Sequence, residues 1–238
     1  MAQAIFYFDS SVREFEAEVV AVDGETSTVV LDRTAFYPGG GGQPCDRGRI
    51  EWPGGIGEVV DVRRDGGDVA HRLEGGLPQA GTRVSCQLDW PRRHALMRTH
   101  TALHILCGVI WRDYGAQVTG GNMQPLSGRL DFELEGLSAE LVEEIERRIN
   151  VEVEAEREVR VQILPRAVAE AIPDLIRTKI NLLPKGLTEI RTVEIVGLDL
   201  QADGGTHVAN TRQVGPIRIA GYKSKGRLNK RLMIELEA

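Results

Sequence analysis

Arg98-Thr99-His100-Thr101-Ala102-Leu103-His104 is the stretch whose reading decides what kind of chain this is. Residues four apart on a helix stand one above the other, so a helical reading aims the imidazoles of His100 and His104 at one point. That is half of a metal site. The flanking residues support the helix. Asp89-Trp90-Pro91 marks its start, with Asp89 as the cap and Pro91 in a first turn where its missing N–H costs nothing. The helical pattern then runs from Arg92 to about Tyr114. Leu96, Met97, His100, Leu103, His104, Cys107 and Ile110 fall on one stripe, which turns both histidines inward and calls for polar partners. His94 falls off the stripe and is expected to be exposed.

Alone, an HxxxH spacing is common and describes packed or solvated helix histidines as well as ligands. The other half comes far downstream, at Asp203-Gly204-Gly205-Thr206-His207. Here a carboxylate and an imidazole flank two glycines, whose bare backbone can bend tightly enough to turn both groups inward. Three nitrogens and one oxygen would then converge, a set suited to zinc.

Upstream of the helix the pattern changes to period two. Phe15-Glu16-Ala17-Glu18-Val19-Val20 and Ser27-Thr28-Val29-Val30-Leu31 alternate about the turn Asp23-Gly24-Glu25, within strand-like sequence from Ile5 to Leu31. Gly48–Trp52, Glu58–Val62, Asp68–Leu73 and Thr82–Leu88 continue as short strands between glycine-rich turns, which predicts a small β-barrel ending near Asp89. His71 in this region has no ligand-like neighbour and is read as a surface or packing residue. Phe36-Tyr37-Pro38-Gly39-Gly40-Gly41-Gly42-Gln43-Pro44 can be neither helix interior nor central strand, so it is a loop. It is a simple hairpin connection or a place where a ligand approaches the N–H groups of Gly40, Gly41 and Gly42, with the Gln43 amide beside them.

Downstream, Gly120-Gly121-Asn122-Met123 reads as a turn, Gly128–Leu134 as a strand, and Ser138 to about Arg160 as a long acidic helix capped by Ser138. Leu141, Ile145 and Ile149 form that helix's apolar edge, and its glutamates a solvated face. Arg166 to Lys179 reads as a shorter helical segment interrupted at Pro173. Asn181-Leu182-Leu183-Pro184-Lys185-Gly186 reads as loop, and Thr188 to Leu200 as a strand leading to Asp203. Gly215–Ile219 and Arg231–Leu236 are closing strands. Between and into them Lys223, Lys225, Arg227, Lys230 and Arg231 crowd a segment without acidic residues, either a phosphate-contacting patch or a solubilising hairpin.

Composition sets outer bounds. The chain has 238 residues, 42% of them hydrophobic and 27% charged, as expected of one large or two modest globular domains, and two are expected here: 1–89 and 90–238. The formal charge of −6 argues against a protein that coats nucleic acid non-specifically, though not against a local grip on one tRNA end. The three cysteines, Cys45, Cys86 and Cys107, are scattered without CxxC spacing, which excludes a disulfide framework and an all-thiolate zinc site. No signal segment or membrane-spanning apolar run is evident, so a cytoplasmic location with no membrane association is expected.

Taken together, FYPGGGGQP, RTHTALHIL, QADGGTHVANT and YKSKGRLNKR resemble, in order and spacing, the freestanding alanyl-tRNA editing proteins of the AlaX type, relatives of the editing domain of alanyl-tRNA synthetase. The resemblance covers nearly the whole chain. It implies an α+β architecture, with the N-terminal β-barrel followed by an editing domain of the threonyl/alanyl-tRNA synthetase type. It also implies an ATP-independent hydrolase that cleaves the ester of alanine tRNA mischarged with serine or glycine. The implied catalytic and metal-ligating residues are His100, His104, Asp203 and His207, with Zn2+ as cofactor. Many relatives carry cysteine where this chain has Asp203. A harder oxygen ligand there weakens zinc affinity, opens a position for water or shifts the metal preference.

Backbone N–H groups of Gly204, Gly205 and Thr206, or of Gly40 to Gly42 with Gln43, are candidates for oxyanion or terminal-ribose contacts. Thr101 and Thr119 are candidates for a seryl hydroxyl, or structural hydroxyls satisfied by nearby carbonyls. Lys223, Lys225, Arg227, Lys230 and Arg231 are candidates for tRNA phosphates. Two other functions fit the residues: a zinc hydrolase of small esters or peptides, and a non-catalytic tRNA-end binder. Against the first, Thr101 follows the first histidine where HExxH proteases carry a glutamate base. No obligate protein partner is indicated.

Overall fold

The computed structural model of the chain describes residues 3–180, 183 and 186–238. The loop expected at Asn181 to Gly186 lies, apart from Leu183 and Gly186, outside them. The chain divides into two compact units, Met1–Ala95 and Leu96–Ala238.

In the first unit, β1 (Gln3–Ala4) precedes a single 3-10 turn at Ile5–Tyr7 where strand was expected. Then follow β2 (Glu14–Asp23), β3 (Thr28–Leu31), β4 (Arg33–Thr34), β5 (Gly48–Trp52), β6 (Gly55–Asp65), β7 (Asp68–Gly75) and β8 (Arg83–Leu88). Six of them close into a barrel in the order β2-β3-β7-β6-β5-β8, with β1 and β4 paired apart from it. The alternation seen in sequence is what closes it. Ala17 and Val19 point inward from β2 while Glu16 and Glu18 point out, and Val29, Leu31, Ile50, Val59, Val84 and Cys86 fill the interior. Burial of each such branched side chain contributes about 1.5–3 kcal/mol.

Two buried polar features complete this unit. His71 is fully buried, its Nδ1 3.3 Å from the Val29 carbonyl and its Nε2 2.8 Å from the Thr34 hydroxyl, and burial depresses its pKa to about 4. It is a packing histidine. Asp46 (1% exposed) and Arg93 (0%) form an enclosed ion pair, which the Arg93 guanidinium extends to the Ser10 and Ala35 carbonyls. Asp46 in turn accepts the Tyr37 N–H at 2.6 Å and returns its own N–H to the Tyr37 carbonyl, so the pair fixes both ends of the glycine-rich loop.

Helix α1 (Trp90–Tyr114) begins as expected, with the Asp89 carboxylate accepting the Arg92 N–H. His94 is half-buried rather than exposed, stacked on Trp90 at 5.6 Å. Within the second unit α1 is covered on every side: Thr99, Thr101, Ala102, Ile105, Leu106 and Val109 are buried along with the expected stripe.

After α1 come β9 (Val118–Gln124), β10 (Ser127–Glu133), α2 (Ala139–Glu154), β11 (Val159–Pro165), α3 (Arg166–Glu170), β12 (Glu189–Ile195), β13 (Asp199–Ala202), β14 (Ile217–Ser224) and β15 (Asn229–Leu236). They form two antiparallel sheets, β14-β15-β10-β9 and β11-β12-β13. With the barrel, this is the α+β class expected.

Four segments differ from the sequence reading. Gly120 to Met123 lies within β9 and is not a turn; a Cβ on Gly121 would sit 2.9 Å from Leu130 Cδ2, so the glycine serves close strand packing. Helix α2 keeps its Ser138 cap but ends at Glu154, because Glu156 enters the left-handed region (φ 51°) and Val159, Val161 and Ile163 pair with β12. Its inward edge runs through Val142, Ile145, Ile149 and Val153, with Leu141 only half-buried. Arg166 to Lys179 is helical only to Glu170, and the chain is broken at Asp174 (φ 58°). Thr188 to Leu200 is two strands folded back at Gly197 (φ 75°).

Candidate metal centre

His100, His104, Asp203 and His207 come together in the second unit, their ligand atoms all within 4.8 Å of one another. The helix supplies the first two one turn apart. The return of β13 supplies the others, and here the turn is made by the carboxylate itself: Asp203 Oδ2 accepts the Gly205 N–H at 2.7 Å. Asp203 Oδ1 lies 3.5 Å from His100 Nε2, and Oδ2 lies 3.1 Å from His207 Nε2. The three rings are packed face to edge or stacked, with centroids 4.3 to 5.1 Å apart.

Two of the three imidazoles are oriented through the outward nitrogen. His104 Nδ1 meets Asp199 Oδ2 at 3.1 Å, and Asp199 also receives the Gln201 amide at 2.6 Å. His207 Nδ1 meets the Thr101 hydroxyl at 3.1 Å, and Thr101 also accepts the Val208 N–H at 3.3 Å. With Nδ1 so engaged, His104 and His207 both turn Nε2 toward the cluster, as a ligand must. Glycine makes this reach possible. A Cβ on Gly108 would fall 2.9 Å from Leu198 Cγ and 3.0 Å from Asp199 Cβ, so its absence lets the Asp199 backbone press against α1 one turn past His104.

The electrostatics suit a cation. Burial pushes His100 down to about 4 and, reinforced by His100, pushes His207 well below its ordinary value, so both imidazoles are neutral near pH 7. Burial alone would also lower His104, but the Asp199 hydrogen bond and charge outweigh it and raise the pKa. Burial opposes ionisation of Asp203. The attraction of His100 and the His207 hydrogen bond override that and hold the carboxyl well below the usual range. Three imidazole nitrogens and a carboxylate, enclosed and with His104 and His207 held from behind, are a donor set that fits a divalent transition metal.

The other sequence candidates are distributed differently. Thr101 is fully buried, its hydroxyl engaged by His207 Nδ1 and the Val208 N–H. Thr119 is exposed and bonds Asn229 Oδ1. The Gly205 N–H is taken by Asp203, and Thr206 is buried. In the barrel unit Gly40, Gly41 and Gly42 are exposed with positive φ, closed by paired hydrogen bonds between Gly40 and Gln43, but the Gln43 side chain is buried rather than displayed. Lys230 is buried, its ammonium bonded to the Gly226 and Arg227 carbonyls, so it is not a phosphate contact. Lys225 and Arg231 bond Asp131, while Lys223 and Arg227 are exposed.

Asp199, Gln201 and Arg191, whose guanidinium bonds the Asp203 carbonyl at 2.9 Å, were not singled out in the sequence. A signal was there: Asp199, Gln201 and Asp203 alternate with Leu200 and Ala202, which puts the polar three on one face of β13 and the residue that follows it.

Comparison with known proteins gives this architecture its context. The model of class II (A) tRNA synthetases matches residues 4–92, and that of the threonyl and alanyl tRNA synthetase second additional domain matches residues 190–232. As a class, then, this is a protein that shares its N-terminal part with class II (A) tRNA synthetases and a C-terminal segment with the second additional domain of threonyl and alanyl tRNA synthetases. An alanyl-tRNA editing protein AlaX-M of Methanosarcina barkeri is 36% identical over 243 residues, 99% of both chains, and that of Saccharolobus solfataricus 36% identical over 237 residues, 98% of both. The alanine–tRNA ligase of Pyrobaculum neutrophilum is 41% identical over 223 residues, which are 90% of this chain but 25% of the ligase. The chain belongs to the alanyl-tRNA editing protein family.

Proposed function

We propose that this protein is a trans-editing deacylase, hydrolysing the ester that joins serine, and also glycine, to the 3′ end of mischarged alanine tRNA, with zinc held by His100, His104, Asp203 and His207. The observation that carries the reading is the enclosed set of three imidazoles and a carboxylate in a chain whose full-length relatives are named for alanyl-tRNA editing. When bound, zinc supplies Lewis acidity toward an ester carbonyl or a water molecule.

The protein's own residues do the rest. Asp199 and Thr101 keep Nε2 of His104 and His207 forward, and burial keeps bulk water from competing for the donors. Were all four residues to hold zinc together, they would fill the four positions usual for that ion, and one of them would have to make room for substrate or water. Asp203 would be the residue best placed to do so, since its carboxylate already serves the Gly205 N–H and lies 3.7 Å from Arg191 Nη1. Sparing correctly charged alanyl-tRNA requires polar groups that the alanine methyl leaves unpaired, a discrimination that hydrogen-bonding sites make well.

The test is deacylation of seryl-, glycyl- and alanyl-charged alanine tRNA before and after chelation, with metal content measured alongside. Serine release is expected to disappear on chelation and in His104→Ala, with alanyl-tRNA left intact throughout. Undiminished serine release in metal-free protein would overturn the role of the metal.

A further inference from the structure

The sheet β14-β15-β10-β9 has one face on α1, where Gly128 meets Leu103 and Thr99, and one face turned away from it. On the outward face, register places Gly120, Asp131, Arg231 and Lys223 side by side across four strands, with Arg129 two residues along from Asp131. Asp131 is the centre of this row. Its side chain is 7% exposed, yet it accepts from Arg231 Nε at 2.7 Å and Nη2 at 2.9 Å, from Lys225 Nζ at 3.1 Å and from Arg129 Nη1 at 3.2 Å. Three cations therefore surround one carboxylate.

A structural ion pair needs one cation per carboxylate. The surplus here is held together against mutual repulsion, in a protein whose net charge is −6, and a second anion would relieve it. The donors left over are well placed to receive one. Arg231 spends two nitrogens on Asp131 and keeps Nη1, Arg129 spends only Nη1, and Lys223 stands exposed in the same row. Beside them Gly120 leaves the surface open, since the nearest atom to a Cβ there would be Asp131 Oδ2 at 3.7 Å. At the β9 edge Val118 hydrogen-bonds to Arg177 and Lys179, and Arg177 lies 3.5 Å from Asp199 behind His104. One wall thus links the charged face to the metal centre.

We propose that this face, through Arg129, Arg231, Lys225 and Lys223 arranged by Asp131, grips the phosphate backbone of the tRNA acceptor stem. Successive phosphates of a duplex strand present repeated negative charge to a flat, open surface, and that is what a row of forked and flexible donors across a sheet fits. Arg129 joins the basic residues evident in the sequence, and Lys230 leaves them. The proposal rests on the editing reading for its choice of RNA, but its test does not depend on hydrolysis.

Binding of uncharged alanine tRNA is measured as a function of salt for the wild type, for Arg129→Gln combined with Lys223→Gln, and for Arg147→Gln on the exposed surface of α2. Each phosphate contact contributes about 0.9 to the slope of log affinity against log salt. Losing two should make the advantage of the wild type shrink by on the order of tenfold over a fourfold rise in salt. Arg147→Gln should leave the slope in place. A double variant with the wild-type slope, a slope change matched by Arg147→Gln, or a wild type that does not bind tRNA would each overturn the proposal. A wild type that binds through this face but does not deacylate would count against the editing reading alone.

Discussion

Asp199→Asn tests whether the centre depends on how its ligands are held. The Asp199 carboxylate is fully enclosed; it accepts from His104 Nδ1 at 3.1 Å and from the Gln201 amide at 2.6 Å, and it faces Arg177 at 3.5 Å. Asparagine keeps the shape but removes the charge. Both donors meet the same oxygen, Oδ2: an amide that keeps its oxygen there offers them a neutral acceptor and turns its NH2 toward Arg177, and one that faces its NH2 inward leaves both without an acceptor. A hydrogen bond to a charged group is worth about 1.5–3 kcal/mol. That is roughly the tenfold to hundredfold loss of metal affinity that follows when a partner behind a ligating histidine is removed. The assay is competition with a chromophoric chelator, read beside seryl-tRNA deacylation. Metal affinity is expected to fall by on the order of tenfold to a hundredfold, and deacylation at limiting zinc to fall with it, recovering in part when zinc is raised. An affinity equal to that of the wild type would refute the argument, since the hydrogen bond would then contribute nothing to the pose of His104.

Thr101→Val, nearly isosteric, leaves the buried His207 Nδ1 and Val208 N–H without their partner at a cost of about 1–3 kcal/mol each; it should lower metal affinity while leaving the ratio of serine to glycine release unchanged, and an altered ratio would mean that the hydroxyl meets substrate after all. Asp46→Ala strands the enclosed Arg93 charge and should destabilise the barrel unit by about 3–5 kcal/mol in urea unfolding, a loss that replacing both residues by apolar ones should reduce. His71 gives the barrel an acid limit. Its pKa is about 4 when folded against 6.5 as the ordinary value, so the unfolded chain binds the extra proton between those values; the stabilisation is complete above about pH 6.5 and is lost as pH falls through 4, amounting to about 3 kcal/mol. His71→Phe should flatten that part of the stability–pH curve, and an unchanged slope would show that the acid sensitivity arises elsewhere.

The barrel strands were legible because one face of each is apolar and the other wet, so Glu16 and Glu18 against Ala17 and Val19 announce both strand and orientation. The histidine pair was legible because its spacing matches the helix repeat. What escaped depends on contacts that no local pattern encodes. Gly120-Gly121 and Gly39 to Gly42 look alike on paper; the second group adopts positive φ and makes a loop, while Gly121 yields to Leu130 across a strand pair. Arg93 and Asp46 lie far apart in the chain and carry no sign that they meet. Asp199 was missed for a more instructive reason. The Gly197 turn keeps the alternation in phase, with Ile195 opposite Asp199 and Val193 opposite Gln201, so the face that carries Asp199, Gln201 and Asp203 continues that of the buried Val193 and Ile195 and reads as core.

The same geometry bears on why a carboxylate stands at position 203. Its two oxygens face different groups: Oδ1 approaches His100, while Oδ2 meets His207 and accepts the Gly205 N–H. The residue is therefore both a candidate ligand and the hydrogen-bond acceptor that shapes the turn carrying His207. A thiolate has a single, larger and softer donor atom, so a metal and the backbone N–H would have to share that one sulfur. With aspartate the two tasks could fall on separate oxygens: were a metal held through Oδ1, Oδ2 would still accept the Gly205 N–H and hold the turn that carries His207. Should all four residues hold a metal, a carboxylate so divided is the donor that could make room for an ester while the turn carrying His207 stays in place.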